Sequence, residues 1–237
     1  MLPRMSLMET LEHLTVLDLA AVIAALGAWL LVRRLIEHPP RGRESVSTLM
    51  SDLRRRWLRE MAKRDVRIFD AQIVGSLRQG TSFFASATIL AIGAILGLLG
   101  NAEMIDQVTS GLIGDDRPAQ VAQLKLLLVV FFLVEGFLRF AWANRIFGYA
   151  SVAMAAVPAP DDADVRRVAR QSAELNIRAA VNFNRGLRAI YFALAAIAWI
   201  GGAIPLLVAT AVATVTLLRR EFSSSAHAIL TKMEEDA

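Results

Sequence analysis

Residues Ser82–Gly100 read SFFASATILAIGAILGLLG. These nineteen positions carry no charged side chain. As a helix they reach about 28 Å, close to the thickness of a bilayer's hydrocarbon core. A helix on the surface of a soluble protein keeps a polar stripe for water, and this one has none. Three other stretches share its character. Residues 14–32 hold one charge, Asp18, near their start. Residues 124–143 carry Lys125, Glu135 and Arg139. Residues 189–218 are uncharged but contain Gly201, Gly202 and Pro205.

Composition agrees with this pattern. Of 237 residues, 55% are hydrophobic and 20% charged, and the mean hydropathy is +0.47. Soluble domains run at about 45–50% apolar and about 25% charged. The expected fold is therefore all-α: one membrane domain over 1–237, a bundle of four transmembrane helices with long helical cytoplasmic extensions at 44–80 and 161–188.

Charge between the spans orients the chain. Segment 33–81 holds twelve basic and six acidic residues, and 144–188 holds seven and four. Segment 101–123 has one basic residue, Arg117, against Glu103, Asp106, Asp115 and Asp116. Lys and Arg gather on the cytoplasmic side, so the first two segments are read as cytoplasmic and the third as external. Four spans then put both termini outside. Arg219 and Arg220 oppose this scheme, because they follow the fourth stretch on its external side. That stretch reads as a tilted helix kinked at Pro205. The alternative is a re-entrant hairpin turning at Gly201–Pro205, whose halves are each too short to span. Residues 14–32 read as an uncleaved anchor, since Arg33 and Arg34 follow the apolar run instead of preceding it.

Within 44–80, Val46, Met50, Leu53, Trp57 and Met61 recur at helical spacing, and after a phase shift Phe69, Ile73 and Leu77 continue it. No proline interrupts 44–100, so the last part is expected to run into the second span. The basic face, with Arg54, Arg55, Arg56 and Arg59 around Trp57, fits a helix lying on anionic lipid headgroups; packing on a cytoplasmic neighbour is the alternative. Trp57 among arginines is read as an interfacial tryptophan, with no nucleic-acid partner implied. Pro158 and Pro160 precede 161–188, where Asp161 can cap a helix that continues into the fourth stretch. Gly93-x-x-x-Gly97, and Ala20, Ala24 and Ala28, would let helix backbones approach closely.

The chain resembles the membrane-protein family known as domain of unknown function 599. The resemblance runs from Arg55-Arg56-Trp57 and Met61 through Asp70, Gln72, Leu77-Arg78 and Phe83-Phe84-Ala85-Ser86. It continues with Lys125, Phe140-Ala141-Trp142 and Arg145, and ends with Asn182, Arg185, Arg188 and Tyr191. It implies a helical polytopic membrane protein and brings no activity, cofactor or catalytic residue with it.

Two polar groups stand out. Glu135 and Arg139, four residues apart, can pair inside the membrane, either as an ion or proton site or as a structural pair with Arg139 snorkelling toward the headgroups. Arg78, Asn144, Arg145, Asn182, Arg185 and Arg188 fall at one level near the cytoplasmic mouth. Arginines with amides are what phosphate or carboxylate binding requires, so an anion- or lipid-headgroup pocket is expected there; the alternative is ordinary basic flanking with bonds that tie helices together. With no cysteine, and with His13, His38 and His227 far apart, no metal site or cofactor is expected. Catalytic motifs are absent. Of the 26 basic residues only Lys63, Lys125 and Lys232 are lysine, a composition typical of a GC-rich bacterial genome. The reading is an inner-membrane protein that is an oligomer or an accessory subunit of a membrane complex. The alternative is a small ion or anion channel or transporter, and the third is a lipid-acting enzyme.

Overall fold

The computed structural model describes residues 13–101, 103–105, 107 and 119–236. Asp106, Asp115, Asp116 and Arg117 lie outside the described residues, as do residues 1–12. The described helices are α1 (Val16–Glu37), α2 (Val46–Met61), α3 (Ile68–Leu99), α4 (Ala119–Ala155), α5 (Val165–Ile197), α6 (Ala203–Phe222) and α7 (Ser225–Glu235). Among the described residues, four stretches are long and apolar enough to cross a membrane: α1, α3, α4 and Ala203–Glu235.

Local chemistry sets the helix ends. Thr15 caps α1 in a reciprocal box: its hydroxyl accepts from the Asp18 amide, and the Asp18 carboxylate accepts from the Thr15 amide. Ser45 caps α2, and its hydroxyl donates to the Ile36 carbonyl at 2.8 Å, fastening the end of α1 to the start of α2. The phase shift after Met61 is a real corner over 62–67, and α3 then runs unbroken through the expected second span. Asp70, buried in the first turn of α3, holds that corner. It accepts from Trp57 Nε1 at 2.6 Å and from Arg64 at 3.0 Å. Helix α5 starts at Val165, capped by the Asp164 backbone, so Asp161 lies in the preceding turn and does not cap it.

The fourth apolar stretch departs from the expected kinked helix. Helix α5 ends at Ile197, a single 3-10 turn covers Ala198–Gly201, and α6 starts at Ala203. Between them Gly202 adopts φ 115°, a backbone conformation open to glycine at no steric cost. Pro205 falls in the first turn of α6, where its missing amide would have had no helical partner, so it begins a helix and bends none. The chain reverses here. Trp199 and Ala203 pack with Ala21 and Ala25 near the start of α1, whereas Glu221, at the end of α6, accepts from both the amide and the hydroxyl of Ser47 at 3.0 Å. His227 in α7 lies 2.9 Å from the Glu44 carbonyl. The end of α6, and α7 after it, therefore sit at the same end as the link between α1 and α2.

Helix α4 is the centre of the bundle, packed most extensively on α5 and then on α3. Phe132, Phe140, Phe147 and Phe192 are fully buried between these helices. Gly186 makes the closest approach possible: a Cβ there would meet the Phe140 ring at 2.6 Å. A second core, built from Leu58, Met61, Val74, Met154 and Val165 with their neighbours, lies past the apolar stretches and joins α2 to the starts of α3 and α5 and the end of α4.

Candidate functional site

In an apolar solvent, burial of hydrocarbon gives helices little reason to associate, so close packing and polar bonds carry more of the specificity. Helix α1 has one carboxylate near each end; α5 reaches one, and the turn that follows α5 reaches the other. At the α5–α6 turn, Trp199 Nε1 donates to Asp18 Oδ1 at 2.7 Å. Lys125 Nζ lies 5.9 Å from the centre of the Trp199 ring. Asp18 and Lys125 are both buried, so this end joins α1, α4 and the turn.

The opposite end of α1 carries the denser arrangement. Arg185 grips Glu37 with two bonds, Nε to Oε1 at 2.8 Å and NH2 to Oε2 at 2.6 Å. Arg188 NH2 adds a third at 2.8 Å, and Arg33 approaches to 3.6 Å from one turn back on α1. Paired fork geometry of this kind is among the strongest charge-assisted contacts proteins make. Arg188 is 4% exposed, and its buried Nε has no hydrogen-bond partner. The carboxylate is thus shared among more guanidinium groups than it can fully satisfy.

The neighbouring pair lies on α4. Arg139 Nε donates to Glu135 Oε1 at 2.7 Å. Arg139 NH1 also reaches Asn182 Oδ1 on α5 at 3.5 Å, and the Asn182 amide donates to the Arg178 carbonyl at 2.9 Å. Glu135 is near enough for its charge to act on Arg185. Four guanidinium groups, from Arg33, Arg139, Arg185 and Arg188, therefore meet two carboxylates.

The six residues expected at the mouth do not all converge. Asn182, Arg185 and Arg188 belong to the network just described. Arg145 is exposed, with its guanidinium over the Tyr149 ring and Nε 2.5 Å from the Tyr149 hydroxyl. Arg78 is exposed and lies alongside Gly148 of α4. Asn144 is half-buried, and its side-chain oxygen has no hydrogen-bond partner. The main partner, Glu37, was not among the expected site residues. One sequence feature marks it: a single carboxylate stands at the end of the first span, two residues before Pro39 and Pro40, amid basic flanks.

Helix α2 packs on α5. Arg54 Nε donates to Asn176 at 2.9 Å, and burial pushes this guanidinium below its ordinary pKa. Arg55 bonds Glu174 at 2.8 Å and Asp52 at 2.6 Å, and the Glu174 carboxylate holds it above its ordinary value. Trp57 is half-buried on Asp70, while Arg56 and Arg59 are exposed. The two arginines that bond across to α5 are thus occupied by protein groups.

A family model described as "Protein of unknown function, DUF599" matches residues 20–226. No curated protein and no solved structure matches the chain.

Proposed function

We propose that this chain, which belongs to the DUF599 family of proteins of unknown function, is a multi-pass bacterial inner-membrane protein that acts without catalysis. It serves as a homo-oligomer or as a subunit of a larger membrane complex. The observation that carries this reading is the outer face of α3. Among the described helices, α3 packs substantially only on α4. Ser82, Ser86, Gly93 and Gly97 recur along its exposed side at helical spacing. A Cβ added at Gly93 or at Gly97 would meet nothing within 4 Å. Glycines in a spanning helix carry a conformational cost that close helix contact offsets, and no described residue of the chain makes such contact with Gly93 or Gly97.

The hairpin supports one orientation of the chain. The end of α6 brings Arg219 and Arg220 to the end that holds the other arginine-rich segments. Every basic segment then lies on one side, which the positive-inside rule assigns to the cytoplasm. The last turns of α5 and the 3-10 turn carry the chain from the Glu37 end of α1 to its Asp18 end, which in this reading puts the N-terminus outside and the C-terminus inside. Anionic headgroups meet the exposed arginines at the boundary.

The chain contains no cysteine, so single cysteines report cleanly. Gly93→Cys in native membranes is expected to give an oxidant-induced disulfide dimer, and Leu31→Cys, on α1, is not. A chain that stays monomeric in both, with no stoichiometric protein co-purifying, contradicts the reading. The excess of guanidinium over carboxylate around Glu37 and Glu135 favours a second reading, passage of an anion. Its test is proteoliposome anion flux that Glu135→Gln abolishes.

A further inference from the structure

A groove of about 780 Å³ opens between the C-terminal half of α2 and the first turns of α5. Six cations line it: Arg55, Arg59, Lys63, Arg166, Arg167 and Arg170, with Glu60 as the one carboxylate on the wall. Three of the six are occupied: Arg55 by Asp52 and Glu174, Lys63 by Glu60, and Arg167 by Asp164. Arg59, Arg166 and Arg170 are exposed and make no hydrogen bond or ion pair with any described residue. The floor is made of small apolar side chains, with Ala169 and Ala173 each 1% exposed, so the space between the guanidiniums is left open.

Folding alone gives no account of this placement. Arg166, Arg167 and Arg170 occupy the first two turns of a helix of 33 residues. That end carries the positive pole of the helix dipole, where cations are disfavoured and anions favoured. Asp164, the capping residue, makes no side-chain bond to the helix amides. The dipole, the free guanidiniums and the open volume all act in the same direction. The volume lies in the range of sites for small organic ligands.

We infer that this groove binds a soluble polyanion bearing two or more phosphate groups, with Arg59, Arg166 and Arg170 as its ligands. The ligand is soluble because of where the groove lies. Arg170 precedes Arg185 by fifteen residues on one continuous helix, which is about 22 Å of rise. A headgroup layer is only about 5–8 Å deep on each side of the hydrocarbon. The groove therefore lies past the headgroups of the bilayer that holds the chain. The inference is independent of whether the chain oligomerises.

The test is calorimetric titration of the full chain, in nanodiscs of neutral phosphatidylcholine, with sodium triphosphate. Saturable binding with one-to-one stoichiometry is expected, weakening as salt is raised. The triple variant Arg59→Gln, Arg166→Gln, Arg170→Gln should weaken it at least tenfold. Its three side chains are exposed and unpaired, so its thermal midpoint should match that of the parent. Ala163→Trp removes no charge but fills the groove, and should weaken binding by a similar factor. Lys232→Gln, an exposed cation on α7, should leave it unchanged. Absence of saturable binding overturns the inference, as does equal weakening by Lys232→Gln, which would reduce the effect to general surface charge. Loss of triphosphate binding when a third of the lipid is replaced by phosphatidylglycerol would assign the groove to headgroups and overturn the soluble ligand.

Discussion

Helix α1 is tied at both ends to α5 or to the turn that follows it, by two different kinds of bond. At the Asp18 end the partner is a neutral indole N–H, and the carboxylate also completes its own helix cap. At the Glu37 end the carboxylate meets two guanidinium groups at bonding distance and a third nearby, and one buried guanidinium nitrogen still lacks a partner. The first arrangement is closed: its polar atoms are matched, and it reads as structure. The second carries more positive than negative charge, so it is costly to break.

The largest expected effect follows from that contrast. Glu37→Ala leaves Arg185 and Arg188 without their counter-charge, and removal of one partner from a buried pair costs about 3–5 kcal/mol. Thermal unfolding in mild detergent should show a large drop in the midpoint. Gly186→Ala comes next, at about 1–3 kcal/mol, because the new methyl group must displace the Phe140 ring. Gly93→Ala, with open space around it, should raise the unfolding midpoint of the detergent-solubilised monomer, by about 0.5–1 kcal/mol, because alanine removes the helix-interior cost of glycine. Asp18→Asn keeps an oxygen for Trp199 and loses only the charge and the second acceptor, so about 1 kcal/mol is expected. An equal loss from Asp18→Asn and Glu37→Ala would remove the distinction between the two ends.

Titration gives the smallest effect. The hydrogen bond and charge of Arg167 hold the Asp164 carboxyl below its ordinary pKa. A carboxyl depressed on folding stabilises the folded state above its unfolded pKa, about 3.9 for Asp, and that contribution is lost as pH falls through the folded value. The pair is exposed and contributes little. Asp164→Asn should therefore lower the midpoint slightly at pH 7 and not at all near pH 2.

Much of the bundle was legible in the sequence because solvent writes it there. A run of nineteen residues without charge, such as Ser82–Gly100, has few soluble explanations, and the phase shift between Met61 and Phe69 marks the corner that Asp70 holds. The reversal at Gly202 was harder to read. A proline in an apolar run marks either a kink within a helix or the first turn of a new one, and the local sequence is the same in both. The misplaced Arg219 and Arg220 were the better guide, since charge sidedness is set by the whole chain. Helix α2 has the same amphipathic pattern whether its partner is lipid or α5, so Arg54 and Arg55 gave no sign of Asn176 and Glu174. Glu37 meets Arg185 across 148 residues of chain, a distance over which periodicity carries no information.

The central claim is that the chain reverses at Gly202 and returns its C-terminal helices to the arginine-rich side. Single cysteines at Arg56, Gly201 and Ser225, labelled with an impermeant maleimide in right-side-out and inside-out vesicles, test it most directly. The account predicts that positions 56 and 225 label only in inside-out vesicles and position 201 only in right-side-out ones. Labelling of 56 and 225 from opposite faces would contradict it.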